Sequence, residues 1–193
     1  GGQAGAQAAI SLRKEGFSGV ITLVCEEPVL PYQRPPLSKT YLAGELAEER
    51  LFIKPAAFYE KAEIDLLLGV RVNAIDTQQQ LLKLDNQQSL PYNHLVFATG
   101  GRVRPLHCPG IEHHHVHYLR TLADVDAMRD KFKPGKRLVI IGGGYVGLET
   151  AAVAVKHGLE VSVLVARPTA LGRVTSKVVG QFFEQVHRSA GVN

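Results

Sequence analysis

The feature that most restricts this chain is a glycine triplet, Gly142-x-Gly144-x-x-Gly147, set between an apolar run and an alanine-rich segment. Arg137-Leu138-Val139-Ile140-Ile141 precedes it and reads as a strand of a parallel sheet buried on both faces. Ala151, Ala152 and Ala154 follow on a helix that Gly158 closes, and residues 161–165 read as the next strand. Each glycine has its own reason. Gly142 permits a tight turn, Gly144 lets the backbone approach a pyrophosphate, and Gly147 lets helix and strand pack closely. The unpaired N–H groups and partial positive charge at the helix start then favour phosphate. Strand, glycine turn, helix and strand in that order imply a dinucleotide-binding unit.

A partial copy opens the chain. Gly2-x-x-Gly5 supplies only the second and third glycines, and leads into an amphipathic helix through Ala6, Ala9, Ile10 and Leu12 that ends at Gly16. Val20-Ile21-Thr22-Leu23-Val24-Cys25 is β-branched and reads as a strand. Glu26 stands at its end with Glu27 beside it, where an acid would hold a ribose hydroxyl. The opening strand of this unit is missing, so a chain that begins inside the glycine turn is expected. The expected fold class is α/β, with two Rossmann-like dinucleotide-binding modules, both incomplete. Residues 1–104 form the first part of one module, and residues 105–193 the first part of the other. Two such modules imply two dinucleotides, and FAD with NAD(P)H is the commonest pairing in chemical terms.

Between the glycine turns, residues 26–61 alternate proline-rich loop with short helical segments. Residues 64–68, 71–75 and 81–84 read as strands, with a hairpin-like turn at Asp85-Asn86. His94-Leu95-Val96-Phe97-Ala98 reads as a buried strand running into Thr99-Gly100-Gly101. Helices are expected over 123–132 and 176–187.

Composition removes other classes. Hydrophobic residues make up 45% of the chain and charges of both signs are present, which excludes a disordered chain. No run approaches the roughly 18 apolar residues that span a bilayer, and the first residues lack a signal peptide's basic flank and apolar stretch. A net charge of +4 is too diffuse for a nucleic-acid partner. Cys25 and Cys108 fit no CxxC or zinc spacing, which predicts a reducing, cytoplasmic setting, with Cys25 as buried packing. His113-His114-His115 and His117 suggest a metal, but consecutive histidines are expected to diverge and no acid completes a site. A solvated loop and no metal are expected.

Four motifs stand in order: Pro31-Tyr32-Gln33-Arg34-Pro35-Pro36-Leu37-Ser38-Lys39, Ala98-Thr99-Gly100-Gly101-Arg102-Val103-Arg104-Pro105-Leu106, Tyr118-Leu119-Arg120-Thr121-Leu122, and Ile141 through Glu149 with the glycine triplet. The set resembles the FAD-dependent NAD(P)H:ferredoxin reductases of oxygenase systems, in the pyridine nucleotide-disulfide oxidoreductase superfamily. The likeness runs to Ser189-Ala190-Gly191-Val192 and implies the N-terminal half of a longer protein. It implies a cytoplasmic flavoprotein that passes electrons from NAD(P)H through FAD to a small [2Fe–2S] ferredoxin.

Residue roles follow from the same likeness. Gly2, Ala4 and Gly5 would face the FAD pyrophosphate and Glu26 the adenosine ribose, with Val72 giving backbone contacts to the adenine. Thr99 and Gly100 would line the flavin, Arg120 would contact FAD, and Lys39 would lie beside the flavin ring. Glu149 would pair with Lys39 and help to order the nicotinamide, and these two are the expected catalytic residues. Gly142, Gly144, Tyr145 and Gly147 would hold NAD(P)H, and Arg34 joins the cofactor-binding set. Neither an acid–base constellation nor a redox cysteine pair is needed, since positioning is the protein's main contribution. The alternatives are a rubredoxin reductase or other two-dinucleotide flavin oxidoreductase, and a catalytically silent truncated fragment.

One position departs from the family pattern. Near residue 165 an acid should hold the ribose, but the chain reads Val165-Ala166-Arg167. Arg167, or less directly Arg173, could accept the 2′-phosphate of NADP, while family habit favours NADH.

Overall fold

Small residues on one face of the first helix set how the chain begins. In the computed structural model, which describes residues 1–193, α1 (Gln3–Lys14) buries Gly5, Ala6 and Ala9. That face lies on Ile21, Leu23 and Cys25 of β1 (Ile21–Cys25), and Tyr59 and Ile64 close the same core. A Cβ on Gly5 would stand 3.0 Å from Leu23 Cδ1, so glycine is what permits this approach. Arg13 fastens the helix end. Its guanidinium donates to the carbonyls of Phe17, Gly19, Ala62 and Glu63 at 2.6–2.7 Å.

The chain divides into two compact units. The first is Gly1–Gln33 with Glu48–Arg102, and the second is Arg34–Ala47 with Val103–Asn193. In the first unit, α2 (Ala56–Lys61) precedes β2 (Ile64–Leu68), which pairs in parallel with β1 from Ile21–Ile64 to Cys25–Leu68. A separate three-stranded antiparallel sheet follows: β3 (Val72–Asp76), β4 (Leu81–Leu84) and β5 (Ser89–Pro91). The turn at Asp85-Asn86 joins the last two of these strands, and β5 is too short to show in the apolar pattern.

The strand expected at residues 94–98 does not form. That stretch has no ladder partner, and Val96 and Phe97 are 65% and 70% exposed. An apolar run becomes a strand only where a neighbour offers a matching row of N–H and C=O groups. Here it passes the helix instead: Ala98 Cβ lies 3.3 Å from where a Cβ on Gly5 would be.

The second unit is built on β6 (Arg137–Ile141), α4 (Tyr145–Lys156) and β7 (Glu160–Leu164), with β6 and β7 paired in parallel from Arg137–Glu160 to Ile141–Leu164. Ala151 and Ala154 of α4 pack on Leu159, Val161 and Val192. α3 (Leu122–Arg129) precedes this group and α5 (Lys177–Ser189) follows it. The expectation that residues 137–141 are buried on both faces is corrected: Val139 and Ile141 are 58% and 60% exposed. Leu138 and Ile140 join the core cluster of Ala151 and Ala154, whereas the alternate positions face away from it. No helix is long and apolar enough to cross a membrane.

The segment Arg34–Ala47 joins the second unit through three side-chain ties. Arg34 Nη1 donates to the Arg120 carbonyl at 2.6 Å, Ser38 Oγ donates to Glu149 on α4, and Tyr41 Oη donates to Asp126 on α3 at 2.8 Å. The Arg129 guanidinium stands 5.0 Å from the centre of the Tyr41 ring. The start of α3 is fixed by a reciprocal cap, in which Thr121 Oγ1 accepts from the Asp124 N–H and Asp124 Oδ2 accepts from the Thr121 N–H. Thr121→Ala should cost about 0.5–2 kcal/mol, read as a lower denaturation midpoint. A loss below this range would show that the cap does not hold α3.

Candidate functional site

Side-chain caps separate the helices into two kinds. Among helices of eight residues or more, α3 and α5 have a Thr or Ser oxygen accepting from the first turn. Helices α1 and α4 instead start on Gly2 and Gly144, in extended conformation, with no side-chain cap. Their first N–H groups therefore lack protein partners and can serve an anion.

At α4 the glycines divide the work as their positions require. Gly142 has φ +118°, and its N–H bonds the Leu164 carbonyl at 2.9 Å as the strand ends. A Cβ on Gly144 would meet nothing within 4 Å, so the space there is open. A Cβ on Gly147 would overlap the Gly142 carbonyl oxygen, which makes this the close-packing position. Gly142, Gly143, Gly144 and Tyr145 line one wall of a cavity of about 380 Å³. The opposite wall comes from the chain after β7, with Val165, Ala166, Arg167, Thr169 and Arg173. No carboxylate lines it.

Beside α4, one carboxylate oxygen serves two donors. Glu149 Oε2 accepts from Ser38 Oγ at 2.5 Å and pairs with Lys39 Nζ at 2.8 Å. Lys39 Nζ also donates to the Pro35 carbonyl at 3.3 Å. The side chains of Lys39 and Glu149 are 47% and 29% exposed, so the ion pair itself contributes no more than about 1 kcal/mol. Its effect is to fix where the ammonium points. Ser38 is buried, and its role escaped the sequence reading. The signal available was its place next to Lys39 at the end of a 3-10 turn, Pro35–Ser38.

In the first unit, Gly2 caps α1, and Ala4 and Gly5 lie in its first turn, Gly5 on the buried face. Glu26 follows β1 and pairs with Arg71 at 3.4 Å and Arg102 at 3.2 Å. The neighbouring Glu27 accepts from Tyr32 Oη at 2.6 Å, while the Glu26 side chain is 55% exposed beside its two arginines. Val72 begins β3 next to Arg71, and Thr99 and Gly100 lie in irregular, exposed chain with Gly100 at φ +65°. Arg34 and Arg120 lie in the second unit and touch through the Arg120 carbonyl. Cys25 is buried, and burial pushes its thiol up, so it stays protonated and serves as packing.

The histidine loop differs from expectation. Rather than diverging, His113, His114 and His115 bring one ring nitrogen each within 4.8 Å of one another. The turn folds back on itself, with the His115 N–H donating to His113 Nδ1 at 3.3 Å. The His114 ring holds His115 below the usual imidazole range. His117 is engaged with Lys131 Nζ at 2.8 Å.

The profile of the pyridine nucleotide-disulphide oxidoreductase family matches residues 1–193. A ferredoxin–NAD(P)(+) reductase of a Sphingomonas species is 46% identical over 192 residues, covering 100% of this chain and 46% of that protein. Putidaredoxin reductase of Pseudomonas putida is 42% identical over 195 residues, covering 100% of this chain and 46% of that protein. The crystal structure of the covalent putidaredoxin reductase–putidaredoxin complex superposes with TM-score 0.95 at 42% identity, over 100% of this chain and 47% of that one. The chain thus spans about half the length of the relatives it matches.

The glycine geometry separates two substitutions. Gly147→Ala should lower stability by about 1–3 kcal/mol, since the clash is with backbone. Gly144→Val should change stability by no more than about 0.5 kcal/mol, because its backbone is extended and the space beside it is open. Equal losses in denaturant titrations would contradict this assignment of packing and approach.

Proposed function

Because this chain belongs to the pyridine nucleotide-disulphide oxidoreductase family, we propose that it binds FAD and NAD(P)H in a flavoprotein reductase that delivers electrons to a small [2Fe–2S] ferredoxin of an oxygenase system. The observation that carries this reading is the pair of uncapped, glycine-started helices, each packed on a parallel strand pair. The names of the relatives support the acceptor.

The first unit fits FAD. The open space at Gly2, the unpaired first-turn N–H groups of α1 and the exposed carboxylate of Glu26 suit a pyrophosphate and a ribose hydroxyl. Gly2, Ala4 and Gly5 give the backbone for the phosphates, Val72 gives backbone contacts to the adenine, and Thr99 and Gly100 line the flavin. When bound, FAD supplies the acceptor for the nicotinamide hydride and the donor of single electrons.

In the second unit, the α4 N–H groups bind the pyrophosphate of NAD(P)H, with Tyr145 beside them on the cavity wall. Lys39 holds a fixed positive charge for the redox site. Glu149 and Ser38 keep that ammonium in one place, and no proton need move between them. The +4 net charge suits an acidic ferredoxin, so capture should weaken with salt. The proposed location is the cytoplasm.

The test is the visible spectrum of the FAD-loaded protein, recorded anaerobically before and after NADH and NADPH. Bleaching of the flavin bands by either nucleotide supports the reading, and flavin that neither bleaches overturns it. Gly144→Val should keep FAD but lose reduction by nucleotide, since its side chain fills the pyrophosphate's approach. Lys39→Ala should slow flavin reduction about tenfold at saturating nucleotide, a loss of oriented charge, while nucleotide binding changes by less than about threefold. A pure binding defect in that variant would remove Lys39 from the redox site.

A further inference from the structure

We propose that the cavity beside α4 selects NADPH over NADH, with Arg167 as the residue that reads the 2′-phosphate. This rests on the reading that the cavity takes a pyridine nucleotide. The argument concerns which charges meet the adenosine ribose.

In a strand–turn–helix nucleotide site, the ribose lies against the residues that follow the second strand. A carboxylate there accepts hydrogen bonds from the 2′- and 3′-hydroxyls, and repels a 2′-phosphate bearing up to about two negative charges. The same chain shows that arrangement at the end of β1, where Glu26 stands with Arg71 and Arg102 balancing its charge.

At the end of β7 the charges are reversed. Val165 and Ala166 carry no carboxylate, and the two charged residues that line the cavity, Arg167 and Arg173, are both cationic and exposed. None of the chain's ion pairs involves either arginine. The acids on neighbouring elements are placed elsewhere. Glu160 begins β7 at its opposite end, and Glu184 of α5 accepts from the Ala170 N–H at 2.7 Å. NADH would leave both cations unpaired and find no acceptor for its 2′-hydroxyl. NADPH supplies a dianion whose oxygens match the guanidinium fork. Arg167, two residues after Val165, is the nearer to the strand end.

The experiment measures equilibrium binding to the FAD-loaded protein by calorimetry, with NADPH, NADH, 2′,5′-ADP and 5′-ADP as probes. NADPH should bind about tenfold or more tightly than NADH, and 2′,5′-ADP should exceed 5′-ADP by a similar ratio, as expected for charge-assisted hydrogen bonds. Arg167→Ala should bring both ratios to about one while NADH affinity shifts by less than about twofold. Val165→Asp should move the ratio towards NADH from the other direction. Higher salt should weaken NADPH more than NADH. Equal affinities in the unsubstituted protein, or a loss shared equally by both nucleotides in Arg167→Ala, overturns the selection. If all four probes fail to bind, the nucleotide reading of the cavity falls, and the selection falls with it.

Discussion

A helix that starts on glycine at the end of a parallel strand has amide N–H groups with nothing in the protein to bond. That deficit organises both units. The chain does cap helices where it needs to, with Thr121 on α3 and Ser176 on α5. At α1 and α4 it places glycine instead, and a glycine side chain cannot accept a hydrogen bond. The small residues behind each glycine, Ala6 and Ala9 in one case and Ala151 and Ala154 in the other, draw the helix onto its strands. The residues after the next strand differ in charge, with the carboxylate of Glu26 after β1 and the cationic Arg167 after β7.

The charge of Lys39 depends on a second constraint. A lone surface lysine samples many rotamers, and ordering it costs entropy. Here the cost is offset by a carboxylate that is itself held, because buried Ser38 donates to the same oxygen. Tyr41 bonded to Asp126 and Arg34 bonded to the Arg120 carbonyl tie the rest of the segment Arg34–Ala47 to the same unit.

What the sequence made legible was local. The triplet at Gly142, Gly144 and Gly147, the strands on either side and the helix between them follow from periodicity and turn chemistry within about 30 residues. What it hid was partnership. The run at residues 94–98 has every property of a strand except a neighbour, and no single segment reveals whether a neighbour exists. Val139 and Ile141 show the same blindness, since an apolar strand does not say which of its faces is covered. Ser38 and Glu149 lie 111 positions apart, beyond any spacing rule, and only the likeness of motifs linked Lys39 to Glu149. The histidine rings meet because of a turn that three identical letters do not encode.

The assignment of Arg34–Ala47 to the second unit, while both its flanks belong to the first, means that the chain crosses between the units at 33/34, 47/48 and 102/103. Neither unit is a continuous stretch of sequence, and no single genetic cut yields both intact. The order of synthesis adds a delay. Ser38 leaves the ribosome 111 residues before Glu149, and at about 5–20 residues per second that interval is roughly 5–20 s. For most of that time Tyr41 also lacks Asp126, its hydrogen-bond partner in the folded chain. The segment that orders the Lys39 ammonium is therefore completed only once the second glycine turn and its helix have been made.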